Sequence, residues 1–94
     1  MSEIKPLMYR GKPLVRQGNF LFYGFPDEKY ILCLNILESN KVGDVTVATR
    51  VLAQVQSTDE TLSLNERIVK QVEKRNFYDA FDIGAIWLDR ELRK

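Results

Sequence analysis

The segment that most constrains the fold of this chain is residues 29–38, KYILCLNILE, because it is apolar on both sides of an extended strand. Alternate side chains of a strand point to opposite faces of a sheet. One face of this segment would carry Tyr30, Leu32, Leu34 and Ile36, and the other would carry Ile31, Cys33 and Leu37. A strand that needs cover on both faces is typical of the centre of a sheet. We therefore predict a central strand here, buried from two directions.

Short apolar runs separated by turn residues flank this strand. Gln17, Gly18 and Asn19 separate residues 14–16 from residues 20–23, which predicts a tight antiparallel hairpin. Residues 39–44 are predicted to be a break. The clearest alternation of the chain follows over residues 45–56, with Val45, Val47, Thr49, Val51, Ala53 and Val55 on one face. Residues 1–56 therefore predict a meander of four or five antiparallel strands that needs no crossover helix.

The period of the apolar residues changes after residue 61, which predicts two C-terminal helices. Ser63 and Glu66 form a capping-box pattern at the start of the first helix, predicted over residues 63–75 and ending near Asn76. The second is predicted over residues 78–92. Gly84 in its middle lowers helix propensity by about 1 kcal/mol, which indicates that another backbone or a large ring packs close to it. Residues 1–94 thus predict a single α+β domain with both helices packed on one face of the sheet.

The composition removes many enzyme classes, because the chain contains no histidine and so lacks the commonest general base and metal ligand. Its 14 basic and 13 acidic residues give a net charge of +1, without the basic excess typical of nucleic-acid binders. The single Cys33 lies in the most apolar run, which indicates a buried side chain and not a reactive thiol. We predict no catalytic residue, no cofactor and no metal ligand.

The chain shows no targeting or membrane-spanning pattern. Residues 1–11 lack the apolar run of a signal peptide, and no window approaches the roughly twenty apolar residues that span a bilayer. We therefore expect a cytoplasmic protein with no membrane partner.

Two groups of polar residues look like site chemistry but have simpler explanations. Ser63, Glu66 and Arg67 combine a hydroxyl, a carboxylate and a guanidinium, yet a helix cap with an outward salt pair accounts for all three. Asp79 and Asp82 could hold a cation, but acidic residues near a helix start also complement the helix dipole, which is the interpretation we favour.

Several longer motifs carry a resemblance to a known family. They are KPLVRQGN at residues 12–19, FYG at 22–24, KYILCL at 29–34, STDETLSLNERIVKQVEKRN at 57–76 and DIGAIWLDREL at 82–92. With these motifs the chain resembles a small family from Gram-positive anaerobic bacteria that is described as a domain of unknown function. The resemblance implies a small stand-alone protein, and it implies no catalytic residue, cofactor or partner.

The strands carry more large apolar side chains than two helices on one face can cover. Either the sheet curls into a partial barrel, or a second copy covers the other face through an isologous interface. We favour the homodimer, with Phe20, Phe22, Ile31 and Leu52 as candidate interface residues. The predicted function is therefore a non-enzymatic protein–protein interaction or assembly module.

A second hypothesis is a module that binds single-stranded nucleic acid through an aromatic sheet face. Aromatic side chains would stack on bases while basic side chains contact phosphates. The aromatic residues would be Phe20, Phe22, Tyr23, Phe25 and Tyr30, and the basic residues would be Lys12, Arg16, Lys29 and Arg50. Core packing explains the aromatic residues better, because residues 20–23 are continuous and point to both faces.

Overall fold

The structure, a computed structural model, describes residues 7–93, which form one antiparallel sheet of six strands and two helices. The strands are β1 (Leu7–Tyr9), β2 (Lys12–Gln17), β3 (Phe20–Tyr23), β4 (Tyr30–Val42), β5 (Val45–Ser57) and β6 (Ile68–Lys74). Each strand pairs with the next along the chain, so the spatial order is β1-β2-β3-β4-β5-β6. The predicted α+β meander is confirmed, with six strands where four or five were expected.

The sheet is not closed into a barrel. Within residues 7–93, β1 pairs only with β2 and β6 pairs only with β5, so both edges are free. The predicted central strand is confirmed, since β4 lies between β3 and β5. The prediction of a break over residues 39–44 is wrong except at Gly43 and Asp44. Strands β4 and β5 continue as a long hairpin up to the turn that these two residues form.

The helix predicted over residues 63–75 is wrong beyond its first turn. The capping box is present: Ser63 Oγ accepts a hydrogen bond from the Glu66 amide at 3.3 Å, and Glu66 Oε1 accepts one from the Ser63 amide at 3.0 Å. The helix it starts, α1 (Leu64–Arg67), ends after four residues, and β6 follows directly. Strand β6 pairs with Val51–Gln56 of β5, whose backbone groups on that edge would otherwise lack a partner strand. Its β-branched side chains also favour an extended backbone.

The second helix is confirmed as α2 (Phe77–Arg93). Asn76 begins this helix and does not end the previous one: its Oδ1 accepts a hydrogen bond from the Asp79 amide at 2.8 Å, as an N-cap side chain does. The Asp79 carboxylate in turn accepts a hydrogen bond from Asn76 Nδ2 at 3.0 Å. The helix-start interpretation of Asp79 therefore has a direct structural basis.

Helix α2 packs on one face of the sheet, which we call the helix face. The register aligns Tyr23, Leu32 and Val55 across three strands of this face, and all three are buried. Helix α2 contributes buried side chains to the same core, namely Ala80, Phe81 and Leu88. Of the two helices in the described residues, α2 covers the sheet and α1 contacts β6 at the edge. The prediction of two helices on one face is therefore wrong.

Gly84 lies where α2 comes closest to the central strand. A Cβ atom at this position would lie 2.6 Å from Cδ1 and 2.9 Å from Cδ2 of Leu32. The expectation of a close neighbour is confirmed, although the neighbour is an aliphatic side chain and not a backbone or a ring. The missing side chain of Gly84 therefore sets the distance at which α2 packs on β4.

Candidate interaction surface

The face of the sheet opposite α2, which we call the open face, carries all four predicted interface residues. Across the β3–β4 pair, Phe22 is opposite Cys33 and Phe20 is opposite Asn35. Across the β4–β5 pair, Asn35 is opposite Leu52. Ile31 precedes Cys33 by two residues and so points to the same side of β4. Within residues 7–93, no helix packs on this face.

The β2–β4 half of the open face is apolar. The rings of Phe20 and Phe22 stack with centroids 6.5 Å apart and planes 13° apart, and Phe20 is 46 % exposed. Val15, beside Phe22 in the register, is also exposed. We call Val15, Phe20, Phe22, Ile31 and Leu52 the apolar patch.

Cys33 lies within the apolar patch but is itself only 6 % exposed. Phe22 and Gln54 are its direct neighbours across the strands, and both are larger than the thiol they flank. Burial raises the pKa of the Cys33 thiol above its ordinary value. The expectation of a buried cysteine is therefore confirmed.

Apart from Leu52, which lies beside Asn35 of β4 and belongs to the apolar patch, the β5–β6 half of the open face is polar. The Arg50 guanidinium bridges two carboxylates, at 3.0 Å from Glu38 Oε1 and 2.9 Å from Glu73 Oε1. Hydrogen bonding to Arg50 holds the pKa of the Glu73 carboxyl below its ordinary value, and both carboxylates raise the pKa of Arg50. Next to this cluster, Gln54 Nε2 donates to Gln71 Oε1 at 2.9 Å. The face thus combines an aromatic half with a hydrogen-bonded half.

The outer part of the β4–β5 hairpin, residues 37–50, projects from the sheet, and we call it the arm. Strand β3 pairs with β4 only as far as Asn35, and β6 pairs with β5 only from Val51. Bulges interrupt the β4–β5 register between Ile36 and Ser39, at the base of the arm. Bulges bend a strand and increase its twist, so they set the angle at which the arm leaves the sheet.

The arm ends in a valine cluster on the open-face side. Val42 pairs with Val45 next to the turn, and Asn40 pairs with Val47. Because Glu38 lies on the open face, alternation along β4 places Val42 on that side too. Val42 and Val45 are 66 % and 62 % exposed. The apolar character of the open face therefore resumes on the arm, beyond the ion pairs of Arg50.

The arm was not predicted from the sequence, although a local signal for its turn is present. Val42 and Val45 flank the dipeptide Gly43-Asp44, and Gly43 has a φ of 63°. A glycine with positive φ at the first position of a two-residue turn is what a type II′ hairpin requires. The run of polar residues before Gly43 hid this signal.

The aromatic residues proposed to stack nucleobases do not share a surface. Phe20 and Phe22 lie on the open face, whereas Tyr23 is buried under α2, where its ring contacts Phe81 with centroids 5.0 Å apart. The Tyr23 hydroxyl donates to the Tyr9 carbonyl oxygen at 2.7 Å, and burial raises its pKa. Tyr30 packs against the same core.

The basic residues proposed to contact phosphates are also dispersed. Lys12 pairs with Glu28 at 2.9 Å and lies over the ring of Phe25. Arg50 forms ion pairs with the carboxylates of Glu38 and Glu73. Lys29 is exposed in the loop between β3 and β4. Arg16 lies on β2 and its Nε donates to the Gly18 carbonyl oxygen at 2.9 Å. The structure therefore brings together the predicted interface residues but separates the predicted nucleic-acid residues.

No family model, curated protein or solved structure matches the chain. Among residues 7–93, no group of three or more acidic, cysteine or histidine side chains is placed to hold a metal ion. No helix in this range has both the length and the apolar character needed to cross a membrane.

Proposed function

We propose that the protein is a non-enzymatic assembly module that forms a homodimer through the open face of its sheet. The observation that carries the proposal is the stacked pair Phe20 and Phe22, with Phe20 nearly half exposed, on a sheet face that no helix of the described chain covers. Large exposed apolar patches on soluble proteins mark interaction sites, and aromatic side chains dominate the energetics of such sites.

A second copy of this chain suits the open face for two reasons. Sheets pack face to face at about 10 Å when apolar side chains of both faces interdigitate, which the apolar patch allows. An isologous interface also requires a self-complementary surface, which the side-chain amides of Gln54, Gln56 and Gln71 suit because they both donate and accept. With a net charge of +1, two copies repel each other little.

The arm extends the proposed interface. An isolated two-stranded hairpin is only marginally stable in water, so the arm gains from cover on its valine side. In a face-to-face dimer, Val42 and Val45 of each arm would reach past the Arg50 ion pairs and pack on the partner. We place this assembly in the cytoplasm, where a free thiol such as Cys33 stays reduced.

Light scattering behind a sizing column tests the proposal on the full chain at tens of micromolar. We expect a dimer, and we expect Phe22→Ser to raise the dissociation constant by at least about tenfold, since a two-fold interface loses the side chain twice. Leu52→Gln should act in the same direction. Tyr78→Ser is the matched control, because Tyr78 is 84 % exposed on α2, away from the open face.

Two results would overturn the proposal. One is a monomeric wild-type protein over the whole concentration range. The other is a dimer that Phe22→Ser and Leu52→Gln leave intact while both variants keep the circular dichroism spectrum of the wild type. Salt-dependent retention of single-stranded DNA or RNA by a monomeric protein would instead support the nucleic-acid hypothesis.

A further inference from the structure

A groove lies on the helix face, between the base of the arm and the first residue of α2. Its volume is about 340 Å³. Leu21, Ile36 and Phe77 supply an apolar floor, and Arg16, Ser39 and Thr46 supply polar groups. Three separate parts of the chain thus form it: the β2–β3 hairpin, the β4–β5 hairpin from Ile36 into the arm, and the start of α2. Because it opens on the helix face, it is separate from the proposed dimer interface.

Among residues 7–93, Arg16 is the only charged residue that lines this groove. Two other cations of the sheet are neutralised, since Lys12 pairs with Glu28 and Arg50 pairs with two carboxylates. Among the described residues, no carboxylate lies within ion-pair distance of Arg16, whose one hydrogen bond runs from Nε to the Gly18 carbonyl oxygen. The groove therefore has an apolar floor and an uncompensated positive charge at its edge.

We propose that this groove binds a small ligand with a compact apolar body and a single carboxylate. Pockets that hold small molecules span roughly 300–1,000 Å³ and combine apolar walls with a few polar groups, so a groove of this size suits a compact ligand. A guanidinium binds a carboxylate through two parallel hydrogen bonds, which fixes the orientation of the ligand. The apolar body would then lie on Ile36 and Phe77, and the hydroxyls of Ser39 and Thr46 would complete the site.

Two-dimensional amide NMR of the full chain, titrated with 2-naphthoate and with its neutral analogue 2-naphthamide, tests the proposal. We expect saturable shift changes at Arg16, Ile36 and Phe77 with naphthoate, and binding of naphthamide weaker by about tenfold, since a charge-assisted hydrogen bond is lost. Arg16→Gln should weaken naphthoate binding to the level of naphthamide. Arg90→Gln is the control, because Arg90 is exposed near the other end of α2.

A second variant tests the groove without removing its charge. Ala48 also lines the groove, so Ala48→Phe should fill it and abolish binding of both probes while the remaining amide spectrum shows a folded protein. The proposal is overturned if neither probe binds, if both bind equally, if the shifts fall outside the groove, or if Arg16→Gln binds naphthoate like the wild type. Phe22→Ser should bind naphthoate normally, so failure here and failure of the dimer are separate results.

Discussion

At the scale of single residues, the packing of the domain depends on the absence of a side chain at Gly84. Glycine in the middle of a helix costs about 1 kcal/mol relative to alanine. The close approach of Leu32 explains why glycine occupies this position, because Leu32 is fully buried and leaves no room for a Cβ atom. Sequence alone indicates that some group packs there, but it does not identify the group.

We expect Gly84→Ala to lower the free energy of unfolding by about 1–2 kcal/mol, because the overpacking penalty exceeds the gain in helix propensity. Urea denaturation followed by circular dichroism measures the change. Leu32→Val should reduce the penalty when the two substitutions are combined, since it removes the atoms that the new Cβ meets. A Gly84→Ala variant more stable than the wild type would show that α2 does not pack at this distance.

Arg50 is the residue on which the polar half of the open face depends. It joins Glu38 on β4 to Glu73 on β6 across its own strand. Since all three side chains are well exposed, the cluster orients them more than it stabilises the fold. Its measurable signature is the lowered pKa of Glu73.

The lowered pKa of Glu73 makes stability depend on pH. Its carboxyl has a lower pKa in the folded state than the ordinary 4.5, so its contribution is present above that pH and is lost as pH falls through the folded value. The Glu66 carboxyl, held by the Ser63 amide, acts in the same direction. We expect the unfolding free energy to fall on acidification below about pH 4.5.

Arg50→Gln should make this acid-induced loss of stability shallower, because Glu73 then titrates near its unfolded value. Chemical denaturation from about pH 3 to about pH 7 measures the slope. Arg90→Gln, which removes an arginine distant from Glu73, should keep the slope of the wild type. Equal slopes for all three proteins would contradict a role for Arg50 in setting the pKa of Glu73.

At the scale of elements, the segment that follows the Ser63 cap shows how a local pattern can fit two structures. Ile68 and Val72 are four residues apart, so they share one side of a helix and also one side of a strand. The cap correctly predicts the start of α1, but the residues that follow pair with the free edge of β5 and form β6. That edge exists only after the sheet has formed, so no window of sequence around residues 68–74 contains it.

Removal of the arm tests assembly separately from folding, because it should weaken the dimer and leave the fold of the domain intact. Replacing residues 39–49 by Asn-Gly would join Glu38 to Arg50, which already pair, through a tight two-residue turn. We expect a cooperative melt like that of the wild type, because the described arm pairs with no other strand, and a dimer dissociation constant raised by about tenfold. Calorimetry and light scattering measure the two effects. An unchanged dimer would show that Val42 and Val45 do not contribute to the interface.

At the scale of the whole molecule, the sheet has one face packed by α2 and one open face. In the described chain, a single 17-residue helix covers the strands that carry Leu32 and Val55, while the apolar patch on the other side carries no helix. A dimer would convert this half-covered sheet into a layered structure with two helices outside and two sheets inside. Stability of such a protein would then depend on its concentration.

We expect the midpoint of thermal unfolding to rise by about 3 °C for each tenfold increase in protein concentration, because association stabilises only the folded state. Differential scanning calorimetry at several concentrations measures the midpoint. Phe22→Ser should give a lower midpoint than the wild type at each concentration, because its dimer is weaker, whereas Tyr78→Ser should follow the wild type. A wild-type midpoint that does not change with concentration would contradict assembly coupled to folding.

The sequence by itself determined the features that depend on neighbours along the chain. Two-sided apolar alternation placed β4 at the centre of an antiparallel meander, the Ser63–Glu66 pattern started α1, and the apolar period of residues 78–92 predicted α2. These signals are local, because backbone geometry sets the period with which side chains change face.

Only the tertiary structure decided which face α2 covers, where β6 replaces a helix and how far the arm projects. Each of these depends on contacts between residues distant along the chain: Gly84 with Leu32, residues 68–74 with the edge of β5, and β3 and β6 with only the inner part of the hairpin. Residues 29–38 carry apolar side chains on both faces of the strand, and α2 buries those on one face. Which residues form the open face was therefore settled by packing, since alternation gives two equivalent faces until a helix covers one of them.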